Sequence, residues 1–304
     1  MSDLQPRWIT PSDVDFYGFH GAYHDGQMAI DYYNDNLSIR QTLYNYSKTK
    51  FGLECCEEIN KNGYIKIVDF FSEKDKEVLL KIKDHMNHLI SENINLKKKN
   101  KSMAMINQPL LNIPDLYKIL FNEKILEIMT AFFGCAPALS SVAARKSFVT
   151  PVPPDSNQVF HRDFNSLTKH LKIAFYLHDV DEETGPFTYV EGSNNKVPMN
   201  WWDGHYFSDE YIKNIYGEDK VKLLTAKSSD LLVANTRGFH KGTKPSSKER
   251  LAIHACYMIH PELCGAGHQN ETPPDKWFKM RKEDFENLNS NQKPAADFLQ
   301  KIDK

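Results

Sequence analysis

The chain has 304 residues, and its 40 Asp+Glu against 38 Lys+Arg leave a formal charge of −2, so no single-sign field dominates it. That balance argues against a polyanionic partner, and no nucleic-acid role is expected. With 40% hydrophobic and 12% aromatic residues the composition is that of an ordinary globular protein, in one large domain or two small ones. No run approaches the roughly 20 apolar residues that span a bilayer. The opening Met1-Ser-Asp-Leu-Gln-Pro-Arg-Trp8 lacks the basic-then-apolar order of a secretory signal. The expectation is a cytoplasmic protein with no membrane partner, monomeric or a small homo-oligomer, an organellar origin staying open. The cysteines, Cys55, Cys56, Cys135, Cys256 and Cys264, are odd in number and form no C-x-x-C, so reduced thiols are expected rather than disulfides or a thiolate zinc site.

Residues 1–50 are rich in Tyr, Asp, Asn and His with little periodicity and read as an irregular arm. Over 51–61, Leu53, Cys56 and Ile59 recur at helical spacing, and Asn62-Gly63 supplies the residue types that end a helix in a left-handed turn. Residues 64–71 are β-branched and aromatic and predict a strand. Ser72 with Asp75 three residues on predicts a helix start, followed by the stripe Leu79, Ile82, Met86, Leu89. The cluster Lys97, Lys98, Lys99, Lys101 lacks interleaved aromatics and reads as a solvated loop. Helices are predicted over 115–121 and 123–133, ending at Gly134. Short β-rich runs then take over, at 139–149, 159–164, 171–177, 187–190, 230–234 and 250–258. Helices followed by many short strands make a mainly β protein with flanking helices, a barrel or sandwich in an α+β chain. The expected domain covers 51–265, with 266–304 a C-terminal appendage of helical character around 277–288.

The chemistry is concentrated in His161-Arg162-Asp163. In a strand, residues two apart share a face, so His161 and Asp163 converge while Arg162 points away. Alone this triplet is weak, because 12 histidines in an Asp-rich chain produce such a pair by chance. Its weight rises with Asn235-Thr-Arg-Gly-Phe-His240, a strand end presenting a second imidazole before a glycine turn. Two His and one carboxylate occupy three adjacent positions on non-haem Fe(II) and leave three for a bidentate co-substrate and dioxygen. Arg250 opens the next strand and suits the co-substrate, since a guanidinium stays charged and binds a carboxylate through two parallel hydrogen bonds. The same ligands also fit a zinc hydrolase, or a binding module without catalysis on the same fold.

In order and spacing, these residues resemble the phytanoyl-CoA dioxygenase family of Fe(II)/2-oxoglutarate-dependent oxygenases over about residues 63–260. The resemblance rests on the strand and helix at 63–90, Phe160-His-Arg-Asp163, the run 175–186 ending Glu-Thr-Gly-Pro186, and the run 230–240 with Arg250. It implies a double-stranded β-helix, the cupin-like jelly roll. It implies that His161, Asp163 and His240 ligate iron, that Arg250 holds the distal carboxylate of 2-oxoglutarate, and that Thr243 is a further contact to it. Two departures stand out: Glu191-Gly-Ser-Asn194 replaces the frequent Pro-Gly-Ser-His, and Gly242 stands where some relatives carry a hydroxyl. Similar halogenases replace the carboxylate ligand with a small residue, whereas Asp163 is present here. The implied reaction converts 2-oxoglutarate and O2 to succinate and CO2 while oxidising a C–H bond of a small molecule. Hydroxylation is the expected outcome, with desaturation or kainoid-type ring closure in a biosynthetic route as the alternative.

On strand 171–177, Lys172, Ala174 and Tyr176 share a face opposite Leu171, Ile173 and Phe175. If the aliphatic set packs on helices, Lys172 and Tyr176 join Arg145, Arg237 and His254 as candidates to meet a carboxylate-bearing substrate. Trp201, Trp202, His205 and Tyr206 are candidates for a lid.

Overall fold

The computed structural model describes residues 8–9, 40–41, 49–154, 156–163, 170–198, 206–259, 278–297 and 299–303. Strand β1 (Trp8–Ile9) lies in the predicted arm; most of that arm, Trp201, Trp202 and His205, Cys264 and the start of the C-terminal appendage fall outside the described residues. Helix α1 (Lys50–Asn62) begins at Thr49, whose hydroxyl accepts the Gly52 N–H, and ends at Gly63 with φ 87°, a conformation that favours glycine. Strand β2 (Tyr64–Ile67) is half the predicted length. It stops because Asp69 turns the chain at φ 50°, its N–H donating to the Asp230 carboxylate at 2.9 Å. Ser72 and Asp75 form the expected capping box of α2 (Glu73–Ser91), whose buried face carries Leu79, Ile82, Met86 and Leu89.

The lysine cluster is not a loop. Strand β3 (Leu96–Lys99) pairs antiparallel with β4 (Met103–Ile106) at the sheet edge, with its lysines exposed. Charge on an edge strand keeps its open ladder from recruiting another chain, so the lysines suit the strand that periodicity did not reveal. Short helices α3 (Pro109–Asn112) and α4 (Leu116–Leu120) precede α5 (Glu123–Phe133), which closes at Gly134 as predicted.

The next strands are β5 (Ala138–Ser147), β6 (His170–Tyr176), β7 (Phe187–Val190), β8 (Val197–Pro198), β9 (Val221–Leu224), β10 (Leu231–Ala234), β11 (His240–Gly242) and β12 (Arg250–Met258), with helix α6 (Asp209–Tyr216) before β9. A seven-stranded sheet runs β2-β10-β6-β12-β5-β4-β3, and a three-stranded sheet runs β11-β7-β9. Both are antiparallel throughout. These antiparallel sheets form a double-stranded β-helix, as the resemblance implied, and they stay open rather than closing into the barrel that the strand pattern allowed.

The large sheet has two distinct faces. Leu171, Ile173 and Phe175 of β6, with Leu231 and Val233 of β10 and Leu251 and Ile253 of β12, pack against α2, α4 and α5 in the main core. On the opposite face Ala174, Tyr176, Leu232 and Ala252 meet Phe187, Tyr189 and Leu224 of the small sheet. Strands β13 (Lys279–Arg281) and β14 (Gln300–Ile302) pair in parallel around helix α7 (Lys282–Glu286). From the C-terminal segment, Met280, Leu288, Ala295, Ala296 and Leu299 belong to the main core. Buried Arg40 strengthens that join, donating to the Ala136, Pro137 and Pro294 carbonyls at 2.7, 2.6 and 2.6 Å.

Ile82 is fully buried between α2 and the sheet. Replacing it with Ala is expected to cost about 2–5 kcal/mol, through lost burial and an unfilled cavity. A urea titration should show a lower midpoint at unchanged slope.

Candidate active site

Downstream of a helical turn at Ser156–Gln158, the chain touches its neighbours through single bridges, so the strand predicted over 159–164 is not continuous. One bridge is decisive. His161 and His240 face each other in antiparallel register, joined by two backbone hydrogen bonds of 3.0 and 2.9 Å, with imidazole centroids 4.3 Å apart. Two residues on, Asp163 returns to the same side, its N–H donating to the Thr236 carbonyl at 2.9 Å. Arg162 points the other way, as alternation predicts, with its guanidinium 5.7 Å from the Phe239 ring and its Nε donating to the Arg237 carbonyl.

The His161 and His240 Nε2 atoms lie 4.0 and 3.6 Å from the two Asp163 oxygens, and one donor atom of each residue lies within 4.8 Å of the others. Nδ1 of His161 donates to the Val159 carbonyl at 2.8 Å and Nδ1 of His240 to the Gly238 carbonyl at 2.9 Å. A carbonyl only accepts, so each Nδ1 keeps the proton and each Nε2 presents a lone pair. Burial pushes His161 below its ordinary value and His240 to about 3, which keeps both rings in the neutral, ligating form.

Burial alone would raise the Asp163 carboxyl, but Lys172, His240 and His170 hold it well below the usual carboxylate range. The Lys172 Nζ sits 2.5 Å from Asp163 Oδ2; burial opposes its charge, and the carboxylate outweighs burial and raises it. Two neutral imidazoles and an ionised carboxylate suit an octahedral first-row divalent ion with open positions. Burial pushes the thiol of Cys256, on the same wall, up to about 12, so it stays protonated in the metal-free protein.

These residues open onto a cavity of about 160 Å³. Strand register explains which side chains reach it. β12 lies between β6 and β5, and the rows Lys172–Cys256–Ser141 and Ala174–His254–Ala143 project inward together. Arg250 pairs with Ser147 at the far end, donating to the Ser147 hydroxyl at 3.4 Å and to the Thr243 carbonyl at 2.8 Å. A Cβ at position 242 would come within 3.1 Å of the Arg250 guanidinium, so glycine there gives the arginine room.

The cavity gathers His161, Asp163, His240, Arg250, Arg145, Lys172 and His254 from the predicted set. Three other candidates are placed elsewhere. Tyr176 shares the face of Lys172, but at the strand end it meets β7, where its hydroxyl accepts the Phe187 N–H at 2.9 Å. Thr243 turns its hydroxyl to that of Thr188 at 2.6 Å and approaches the site only through the carbonyl that anchors Arg250. Arg237 does not line the cavity; its backbone serves Arg162 and Asn235. Of the candidate lid, Tyr206 is described, exposed and 6.2 Å from the His161 ring. Ser147 and Gln158 were not anticipated; alternation from Arg145 along β5 pointed to Ser147, while no local pattern marked Gln158.

The phytanoyl-CoA dioxygenase (PhyH) family matches residues 59–252 of the 304. The chain belongs to that family. As a member it is a non-haem Fe(II)/2-oxoglutarate-dependent oxygenase, with iron, 2-oxoglutarate and O2 as its cofactor and co-substrates. Among solved structures, its fold is similar to EctD from S. alaskensis with bound Fe, at 14% identity and TM-score 0.55, covering 85% of this chain and 90% of that one. It is also similar to the epimerase SnoN from nogalamycin biosynthesis in complex with Fe3+, alpha ketoglutarate and nogalamycin RO, at 16% identity and TM-score 0.53, covering 67% and 82%. A third, HygX from Streptomyces hygroscopicus with nickel and 2-oxoglutarate bound, matches at 15% identity and TM-score 0.50, covering 67% and 86%. No curated protein sequence matches the chain. Among the described residues of this family member, no helix is long and apolar enough to cross a membrane.

Burial first, then Arg145, Arg250 and Lys172, hold His254 well below its ordinary 6.5. A depressed folded-state value makes the unfolded chain the better proton acceptor, so this stabilisation is complete above pH 6.5 and is lost as pH falls below it. His254→Gln in the metal-free protein should flatten the acid limb of stability by up to about 1.4 kcal/mol per pH unit. Urea midpoints at neutral and mildly acidic pH check this.

Proposed function

We propose that His161, Asp163 and His240 hold the iron, that Arg250 grips the distal carboxylate of 2-oxoglutarate, and that the enzyme hydroxylates an unactivated C–H bond of a small, carboxylate-bearing molecule. The observation that carries this is the convergence of three ligand atoms within 4.8 Å, with both imidazoles held in the ligating tautomer. Iron bound there supplies dioxygen activation coupled to decarboxylation of 2-oxoglutarate to succinate and CO2.

The protein's part is positional. Lys172 keeps Asp163 ionised and, by holding one of its oxygens, leaves the other for the metal. Arg250 is buried, so water competes poorly for its donors, and the Thr243 carbonyl fixes the plane in which a carboxylate docks. Met103, Phe187 and Leu232 supply apolar wall around a bound C–H group. Holding that group against the reacting centre, with water excluded, is what selects the bond to be oxidised.

Anaerobic addition of Fe(II) and 2-oxoglutarate should give a visible metal-to-ligand charge-transfer band. Asp163→Ala should lose both the band and succinate formation while retaining the native circular dichroism spectrum; full turnover in this variant would refute the ligand assignment. Arg250→Leu removes a charged two-point contact worth about 1.5–3 kcal/mol, so the 2-oxoglutarate KM should rise about tenfold to a hundredfold. An unchanged KM would give the carboxylate to another group.

A further inference from the structure

Three cations line the cavity, Arg145, Lys172 and Arg250, against a single carboxylate among the described residues, Asp163. A divalent metal and a dianionic co-substrate cancel one another, so the excess of positive charge survives their binding. Lys172 is already committed to Asp163 at 2.5 Å, and Arg250 is braced by Thr243 and Ser147 for the co-substrate. Arg145 is different. Its side chain makes no hydrogen bond or ion pair with any described residue, and its Nε is shut away from solvent. On β5 it lies in register with Ala252 and one inward row from both Ala143 and Ser147, so small neighbours leave space over its guanidinium. Gln158, on the turn just ahead of His161, lines the same cavity with both amide atoms buried and unpartnered.

A guanidinium enclosed by a pocket wall without a counter-ion is unfavourable. Burial and the nearby Arg250 pull it down to about 10, which still leaves it charged at neutral pH. A ligand that brings its own anion resolves the imbalance, and two unsatisfied polar groups in one pocket favour a polar ligand over an apolar one. We propose that Arg145 receives a carboxylate of the organic substrate and thereby selects organic anions over neutral or cationic molecules of the same shape. This rests on the iron and 2-oxoglutarate reading above.

The test uses the anaerobic Fe(II) enzyme with saturating 2-oxoglutarate, so that Arg250 is occupied. It is titrated with hexanoate, hexanamide and hexylamine, followed by the charge-transfer band and by calorimetry. Hexanoate is expected to bind and perturb the band, with the amide and amine at least about tenfold weaker. Arg145→Gln should weaken hexanoate at least about tenfold while the 2-oxoglutarate titration of the band moves less than about twofold, and Arg145→Lys should recover most of the loss. Hexanoate that fails to bind, or binds the wild type and Arg145→Gln equally, overturns the proposal. So does a comparable loss of 2-oxoglutarate affinity in Arg145→Gln, which would assign the arginine to the co-substrate. In those cases the band itself still forms in the wild type; its absence would instead sink the iron reading and this inference with it.

Discussion

The site depends on one short antiparallel bridge. Two backbone hydrogen bonds between His161 and His240 hold a segment that has no continuous strand against the edge of the small sheet. That contact sets the two imidazoles opposite each other, and the alternation of side chains then returns Asp163 to the same side. The carbonyls of Val159 and Gly238, each two residues upstream of its histidine, fix both rings. Backbone geometry thus places and orients the two imidazoles before any metal contributes.

Around this bridge, the large sheet separates two kinds of surface. Its helix-facing side is aliphatic and closes the main core, so the strands are held rigidly. Its inner side carries charge: Lys172 on β6, Arg145 on β5, Arg250 on β12. Charges on a buried wall are costly unless partnered, and the partners differ in kind. Lys172 has a protein carboxylate, Arg250 has a carbonyl and a hydroxyl, and Arg145 has none among the described residues. Stability comes from one face of the sheet and chemistry from the other.

Local signals suffice wherever one segment decides its own conformation. The glycine stop after α1, the capping box of α2 and the strands Phe187–Val190 and Arg250–Met258 were all legible, because caps and alternation act over a few residues. Strand β3 was missed because Lys97, Lys98 and Lys99 carry no apolar alternation, and only pairing with β4 makes them a strand. The face of Tyr176 alone points it to the pocket, but which neighbour a strand end meets is a property of the other sheet. Thr243 was displaced for a similar reason, since Thr188 comes from a distant strand to take its hydroxyl.

What the amino-acid sequence determined by itself was the chemical inventory and its local presentation: His161 and Asp163 on one side with Arg162 on the other, His240 at a strand end, Arg250 opening the next strand. Tertiary structure alone decided that these groups meet. Register between strands far apart in the chain brings Arg145, His254 and Lys172 to one wall, while Tyr176 on the same face meets the small sheet instead. The physical reason is range: propensity, capping and alternation extend over a few residues, whereas the distance between two imidazoles is set by which strands hydrogen-bond and in what alignment.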